Sequence, residues 1–293
     1  MTGRARRALL LAACGLLAVL PACGAGAVTG PDTGPWETVW RDDFDGGAGA
    51  PADPSSWIPM IGHGYPGGPH GWGNDELQYY TADPANVALD GAGHLRITAV
   101  RADGGTWTSA RLESVRDDFA PPPGGALKIE ARLRLPDGGR GYWPAFWALG
   151  APLRSGEDTW PGTGEIDVVE NVDGAPEVHG SLHCASDLPE GCGPGRPLTG
   201  TTALGPGPRD AHTFAVVWDD GAGRLDWSVD GRHYWSVSRD TVGAAAWERA
   251  TGHGYFLLLN LAVGGDWPGH PDDTTRPGRS MLVDHVLVAA RRP

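Results

Sequence analysis

Leu127-Lys-Ile-Glu-Ala-Arg-Leu-Arg-Leu135 alternates apolar and charged side chains over nine positions. A period of two puts one set of side chains on each face of an extended chain, so the segment reads as a half-buried antiparallel strand. The pattern recurs on both sides of it. Leu95, Ile97 and Ala99 alternate in the same way, and Phe214 to Trp218 is a short apolar run closed by Asp-Asp-Gly. Leu225, Trp227 and Val229 lead into Asp230-Gly231, after which Tyr234 to Val237 resume. Strand, Asp-Gly and strand make a hairpin, because that pair accepts the positive φ angles of a tight turn. Met281 to Val288 supplies a last strand, and Val242 to Ala250 is the only helix-like stretch. The fold class is all-β, a sandwich of two antiparallel sheets.

Composition agrees. Gly (46) and Pro (26) make up about a quarter of the 293 residues, a share that approaches disorder-prone chains. The 13 Trp, 6 Tyr and 5 Phe argue instead for a packed core. Gly and Pro as punctuation between short strands reconcile the two. No linker interrupts the chain after Trp36, so residues 37–291 read as one domain. A net charge of −13 argues against a nucleic-acid backbone as partner and suits a neutral substrate.

Residues 1–22 have the form of an export signal: Arg4, Arg6 and Arg7, then the apolar run Ala8 to Leu20, too short to span a bilayer stably. Leu20-Pro-Ala-Cys23 resembles a lipobox, in which Cys23 is lipidated and becomes the first residue. Ala25-Gly-Ala27 offers an ordinary cleavage site as the alternative. Residues 23–36 are Gly- and Pro-rich and read as a tether. The expected location is therefore extracellular, on the outer face of the cell membrane or secreted, with membrane contact only through the lipid. Cys184 and Cys192 remain in the body, eight apart in a loop-like stretch, and suggest a local disulfide.

One segment stands apart: Trp160-Pro-Gly-Thr-Gly-Glu165-Ile-Asp167-Val-Val-Glu170-Asn171. In a strand Glu165 and Asp167 share a face, and strict alternation sends Glu170 to the other. A one-residue bulge between Asp167 and Glu170 brings Glu170 back. Three acids on one face repel each other and raise at least one pKa, which a purely structural strand has little reason to accept. Paired carboxylates with separated pKa values are what glycoside hydrolysis requires. A solvated acidic face or a calcium site are the competing readings on spacing alone.

Gly-Glu-Ile-Asp-Val-Val-Glu-Asn resembles the active-site strand of glycoside hydrolase family 16 in its bulged, laminarinase-like form. Further segments resemble that family in its own order: Gly71 to Thr81, Thr108 to Leu112, Gly141 to Gly150, Asn260 to Gly269 and Val283-Asp284. The resemblance implies a β-jelly-roll with an open cleft on its concave sheet. It implies a retaining endo-glycosidase with Glu165 as nucleophile, Glu170 as general acid/base and Asp167 tuning the nucleophile. Trp160, Trp143, Trp147 and Trp267 become candidate sugar platforms, and Asn74, Glu76, Arg111 and Asn260 candidate polar lining. His179 and His183 fall on one face of a strand and are expected to line the cleft, with His183 reaching the acid/base. Their spacing suits zinc only on a helix. No cofactor is required for catalysis. A structural calcium on the convex side is common in the family, with Asp43 and Asp284 as candidate donors here.

The stretch Cys184 to Leu204 departs from the laminarinase pattern, and so bears on the substrate. The leading reading is hydrolysis of β-1,3-glucan by a monomer. An endo-β-1,3-galactanase or a mixed-linkage β-glucanase uses the same residues. A non-catalytic β-glucan-binding protein would have no use for all three acids, and transglycosylation would use them as hydrolysis does.

Overall fold

The structure, a computed structural model, describes residues 35–185, 187–188, 191–193, 197–205 and 210–293. The export segment, Cys23 and the tether up to residue 34 lie outside the described residues. In chain order the strands are β1 (Glu37–Asp42), β2 (Trp57–Met60), β3 (Tyr79–Tyr80), β4 (Val87–Leu89), β5 (Leu95–Arg101) and β6 (Trp107–Ser109). Next come β7 (Arg111–Ser114), β8 (Ala126–Arg134), β9 (Tyr142–Gly150), β10 (Glu165–Glu170), β11 (Glu177–His183) and β12 (Leu198–Ala203). The series ends with β13 (His212–Asp219), β14 (Arg224–Val229), β15 (Arg232–Ser238), β16 (Tyr255–Val263) and β17 (Arg279–Arg291).

They form two sheets. One runs β15-β14-β13-β8-β17-β5-β6-β3, with β1 added on β17 and β4 on β5; the other runs β12-β11-β10-β9-β16-β7-β2. The alternating segment is β8, held between β13 and β17. Its Leu127, Ile129, Ala131 and Leu133 are buried, whereas Lys128 and Glu130 pair on the outer face at 3.4 Å. The Asp-Gly hairpin forms as read, with φ of 50° at Asp230 and 72° at Gly231. The shown architecture is the jelly-roll sandwich.

Helix content departs from the sequence reading. The stretch Val242 to Ala250 is not one helix: α2 (Arg239–Val242) and α3 (Ala244–Thr251) meet at Gly243, whose φ of 79° breaks the helical path. A further helix, α1 (Ala151–Ser155), follows β9 directly. Its five residues are too few to display a helical period in sequence. It covers an apolar patch on the outer face of the second sheet, where Leu149, Phe256 and Leu258 are buried beside Trp147 and Leu153.

The sheets are joined by a core drawn from alternate positions of both. From the second sheet Tyr142, Phe146, Ile166, Val168, Val169, Leu182, Leu257 and Leu259 point inward. Trp227 on β14 reaches across this core, and its Nε1 donates to the backbone carbonyl of Asp167 at 2.7 Å. Gly180 on β11 makes room for it, since a Cβ there would run into the Trp227 indole. Trp227→Phe keeps an aromatic ring but deletes the donor together with part of the buried indole, so the Asp167 carbonyl loses this bond and the core loses volume. Urea unfolding of that variant is expected to show a loss of about 1–3 kcal/mol; an unchanged midpoint would mean that the bond adds no net stability.

Candidate active site

β10 sends Ile166, Val168 and Val169 into the core. Two adjacent inward residues require an irregular ladder, and the register shifts between Asp167 and Glu170 against β11 and between Asp167 and Val169 against β9. The bulge returns Glu170 to the face of Glu165 and Asp167, as the sequence indicates. Across the strands Glu165 faces His183, Asp167 faces Ser181 and Trp147, and Glu170 faces His179 and Ala145.

Each acid has its own partners. Glu165 Oε2 accepts from Trp160 Nε1 at 2.9 Å, and its Oε1 lies 3.4 Å from His183 Nε2. The same nitrogen is 3.3 Å from Asp167 Oδ2. Glu170 Oε1 accepts from Trp143 Nε1 at 2.9 Å. His183 therefore joins Glu165 and Asp167, and not the Glu170 carboxyl that the sequence reading assigned to it. The imidazole stands opposite Glu165 in the β10–β11 register, whereas Glu170 stands opposite His179, four residues away along β11.

The electrostatics follow from this layout. Burial pushes the Glu165 carboxyl up to about 7; the His183 charge and the Trp160 bond oppose the shift, and the Asp167 charge adds to it. Burial, helped by the charge of Asp167, raises Glu170 well above the usual carboxylate range despite the Trp143 bond. Burial alone would lower His183, but Glu165 and Asp167 outweigh it and raise the imidazole to about 9. At neutral pH an imidazolium thus sits between Glu165 and Asp167. The ligating atoms of Glu165, Asp167 and His183 lie within 4.8 Å of one another, a spacing that would also suit a metal ion, which would have to displace the imidazole proton. His179 is outside that group: its Nδ1 pairs with Thr201 Oγ1 at 3.0 Å and its ring packs on Trp267 at 4.9 Å.

Exposed indoles flank the acids. Trp160 is 49% exposed beside Glu165, and Trp267 is 44% exposed, edge-on to Trp143 at 5.6 Å. Such rings match the apolar faces of pyranoses. The polar candidates lie deeper than expected of cleft lining. Asn260 is buried with both ends of its amide engaged, accepting from Trp147 Nε1 at 2.7 Å and donating to Tyr80 Oη at 3.0 Å. Glu76 is buried and accepts from Gln78 at 2.6 Å, Tyr80 at 3.2 Å and Asn74 at 3.3 Å; of these four residues only Asn74 is exposed. Arg111 is buried between the rings of Trp72 and Trp147, at 4.4 and 4.8 Å, and donates to Tyr65 Oη at 2.6 Å and to Glu113. These residues brace the floor of the site.

Tyr65 and Glu113 escaped the sequence reading, Trp72 entered it only within the Gly71–Thr81 segment, and Trp227 only as a strand residue. Tyr65 and Trp72 lie in a Gly- and Pro-rich loop without periodicity, and Glu113 sits two residues beyond Arg111 on β7, the one signal that placed it on the same face. The Cys184–Cys192 disulfide is formed, with Cα atoms 5.3 Å apart. Asp43 accepts from Arg41 Nε at 2.8 and 2.9 Å, and Asp284 is paired with Arg132 and lies 3.5 Å from His94 Nε2. A guanidinium thus lies on each of these two carboxylates.

A family described as "XgeA-like, catalytic GH16 domain" matches residues 92–193, a span that includes all three acids. A beta-glucanase of Rhodothermus marinus is 37% identical over 283 residues, covering 93% of this chain and 92% of its own. The chain belongs to glycoside hydrolase family 16. Among solved structures, the endo-1,3-beta-glucanase of Streptomyces sioyaensis is 42% identical with a TM-score of 0.83, over 89% of this chain and 98% of that one. The endo-beta-1,3-glucanase of Pyrococcus furiosus is 35% identical with a TM-score of 0.73, over 88% and 95%. As a family 16 member the chain is a glycoside hydrolase, and its substrate is a polysaccharide.

A raised carboxyl makes stability depend on pH. Glu165 titrates near 7 when folded and near the ordinary 4.5 when unfolded, so folding binds a proton between those values. The stability linked to that proton is complete below about 4.5 and is lost as pH rises through about 7. Glu165→Gln cannot ionise and escapes the loss. Its melting temperature relative to wild type should therefore climb from pH 4.5 to pH 7 and level off above, with a ceiling of about 3 kcal/mol. A flat difference across that window, measured by calorimetry, would contradict the burial of this carboxyl.

Proposed function

We propose that this family 16 chain is a retaining endo-β-1,3-glucanase, with Glu165 as nucleophile and Glu170 as general acid and base. The observation that carries the reading is the unlike surroundings of two buried carboxyls on one face. Glu165 lies beside the His183 imidazolium, which favours its ionised form, and Glu170 has an indole N–H and, among the described residues, no ion-pair partner. One group is poised to attack and the other to give up a proton.

In the first half-reaction Glu170 protonates the glycosidic oxygen while Glu165 attacks the anomeric carbon. The carbon–oxygen bond breaks, and a glycosyl ester remains on Glu165. Glu170, now ionised, takes a proton from water, which attacks the same carbon and releases Glu165. Two inversions leave the anomeric configuration unchanged. Asp167 keeps His183 charged and in place beside the nucleophile, while its own charge opposes ionisation of Glu165 and so tunes it from both directions. Trp160 and Trp267 receive sugar rings on either side of the scissile bond. The substrate assignment draws on the solved relatives, whose described activity is β-1,3-glucan cleavage.

We also propose that the enzyme works outside the cell, held by a lipid on Cys23. The apolar run before Cys23 and the disulfide, which needs an oxidising compartment, support this. Cys23→Ser should release the protein from the membrane fraction into the medium; retention would count against the anchor.

Chromatography of products from laminarin, mixed-linkage β-glucan, β-1,3-galactan and agarose tests the activity, with Glu165→Gln as the blank. Short oligosaccharides from laminarin are expected, and Glu170→Gln should slow their release by about 10²–10⁴-fold. Release only from β-1,3-galactan or from mixed-linkage glucan would keep the chemistry and overturn the substrate. Sugar binding without cleavage of any polymer would overturn the hydrolase.

A further inference from the structure

The disulfide loop begins where the chain departs from the family pattern, and one arginine ties it to the loop that carries Trp160. Arg249 lies on α3. Its Nε donates to Asp158 Oδ2 at 2.8 Å and its Nη2 to Asp158 Oδ1 at 2.7 Å, a two-pronged pair. Its remaining nitrogen, Nη1, donates to Asp187 Oδ1 at 3.1 Å and Oδ2 at 3.3 Å. Asp158 stands two residues before Trp160, and Asp187 lies between the bonded Cys184 and Cys192. The guanidinium also rests on Gly162, where any Cβ would collide with it.

Both tied segments end on the nucleophile. Trp160 bonds to Glu165 Oε2, and His183, the residue before Cys184, contacts Oε1. The Trp160 and His183 rings are 5.5 Å apart. One side chain thus spans two stretches of chain that approach Glu165 from different sides. The guanidinium is 33% exposed, so as a surface ion pair it adds little to global stability. Its three-way geometry has a local consequence instead.

We propose that Arg249 is a positioning residue that, by holding Asp158 and Asp187 together, sets the spacing between Trp160 and the disulfide loop and thereby the fit of the sugar ring received at Trp160. The proposal rests on the glucanase reading for the identity of that ring. Without the tie the Trp160 loop and the disulfide loop move independently, and the ring meets a platform whose place relative to Glu165 varies. Substrate capture suffers more than the chemical step.

Arg249→Ala should raise KM on the polymer that the wild type cleaves by about tenfold, with kcat within about threefold. Its melting temperature should stay close to that of wild type. Arg249→Lys keeps the charge but loses the fork, and should recover less than half of the KM effect. In a Trp160→Ala background, Arg249→Ala should add no further change, because the tie acts through Trp160. A KM that is unchanged, or that rises equally in both backgrounds, would overturn the proposal. Hydrogen exchange gives a reading free of turnover: Arg249→Ala should speed exchange in both 158–164 and 184–192. Unchanged exchange in both segments would overturn the tie whatever the substrate. Faster exchange together with no wild-type cleavage of any β-glucan would uphold the tie and overturn the glucanase reading.

Discussion

Two adjacent valines that both turn inward, Val168 and Val169, govern the chemistry of this molecule. An extended strand cannot bury neighbours on one side without a break in its ladder. The break lies between Asp167 and Glu170, and it alone places Glu170 on the face of Glu165 and Asp167. Without it Glu170 would enter an apolar core, at a cost no neighbouring cation offsets. The break interrupts backbone pairing, and the opposite sheet answers it: Trp227 crosses the core to bond the Asp167 carbonyl, over a glycine that leaves it space. The strand that carries the three acids is thus shaped by its own sheet and held by the other one.

The sandwich that shapes the strand also sets its electrostatics. Burial raises both Glu165 and Glu170, so burial by itself cannot give them different tasks. The difference comes from β11 and β9. His183 brings a cation to Glu165, while Trp143 brings a neutral donor to Glu170. Their protons belong to one coupled cluster with Asp167, whose charge raises both glutamates and keeps His183 protonated. Removing Asp167 would therefore disturb both carboxyls at once, although it touches neither the leaving oxygen nor the anomeric carbon on the proposed reading.

What was legible in the sequence was what is local. The alternation in β8, the Asp-Gly hairpin of β14 and β15, and the spacing that demands a bulge in β10 are each written within a dozen residues. The polar floor was only half legible. Glu76, Arg111 and Asn260 stand out as polar residues inside segments that resemble the family, but that Asn260 engages Trp147 and Tyr80, and Arg111 engages Tyr65, depends on segments far apart in sequence. The bond from Trp227 to Asp167 spans 60 residues and leaves no pattern, because an indole reads simply as core. α1 is invisible for another reason: one turn of helix has no period to detect. The pairing of His183 with Glu165 depends on register, which one misplaced residue would invert.

Chemistry and selectivity are carried by different parts of the fold. The acids sit on β10, an interior strand paired on both sides and bonded from the opposed sheet, so on the proposed reading substitutions there act on the reaction itself. Trp160 and the disulfide loop lie outside the ladder, where shape depends on a cross-link, a glycine and one guanidinium. Loops of that kind tolerate change because few backbone bonds are lost when they vary. A family can therefore keep one reaction while its members diverge in substrate. This chain's departure after His183 falls on the tolerant side of that division, immediately beyond the last residue that touches Glu165.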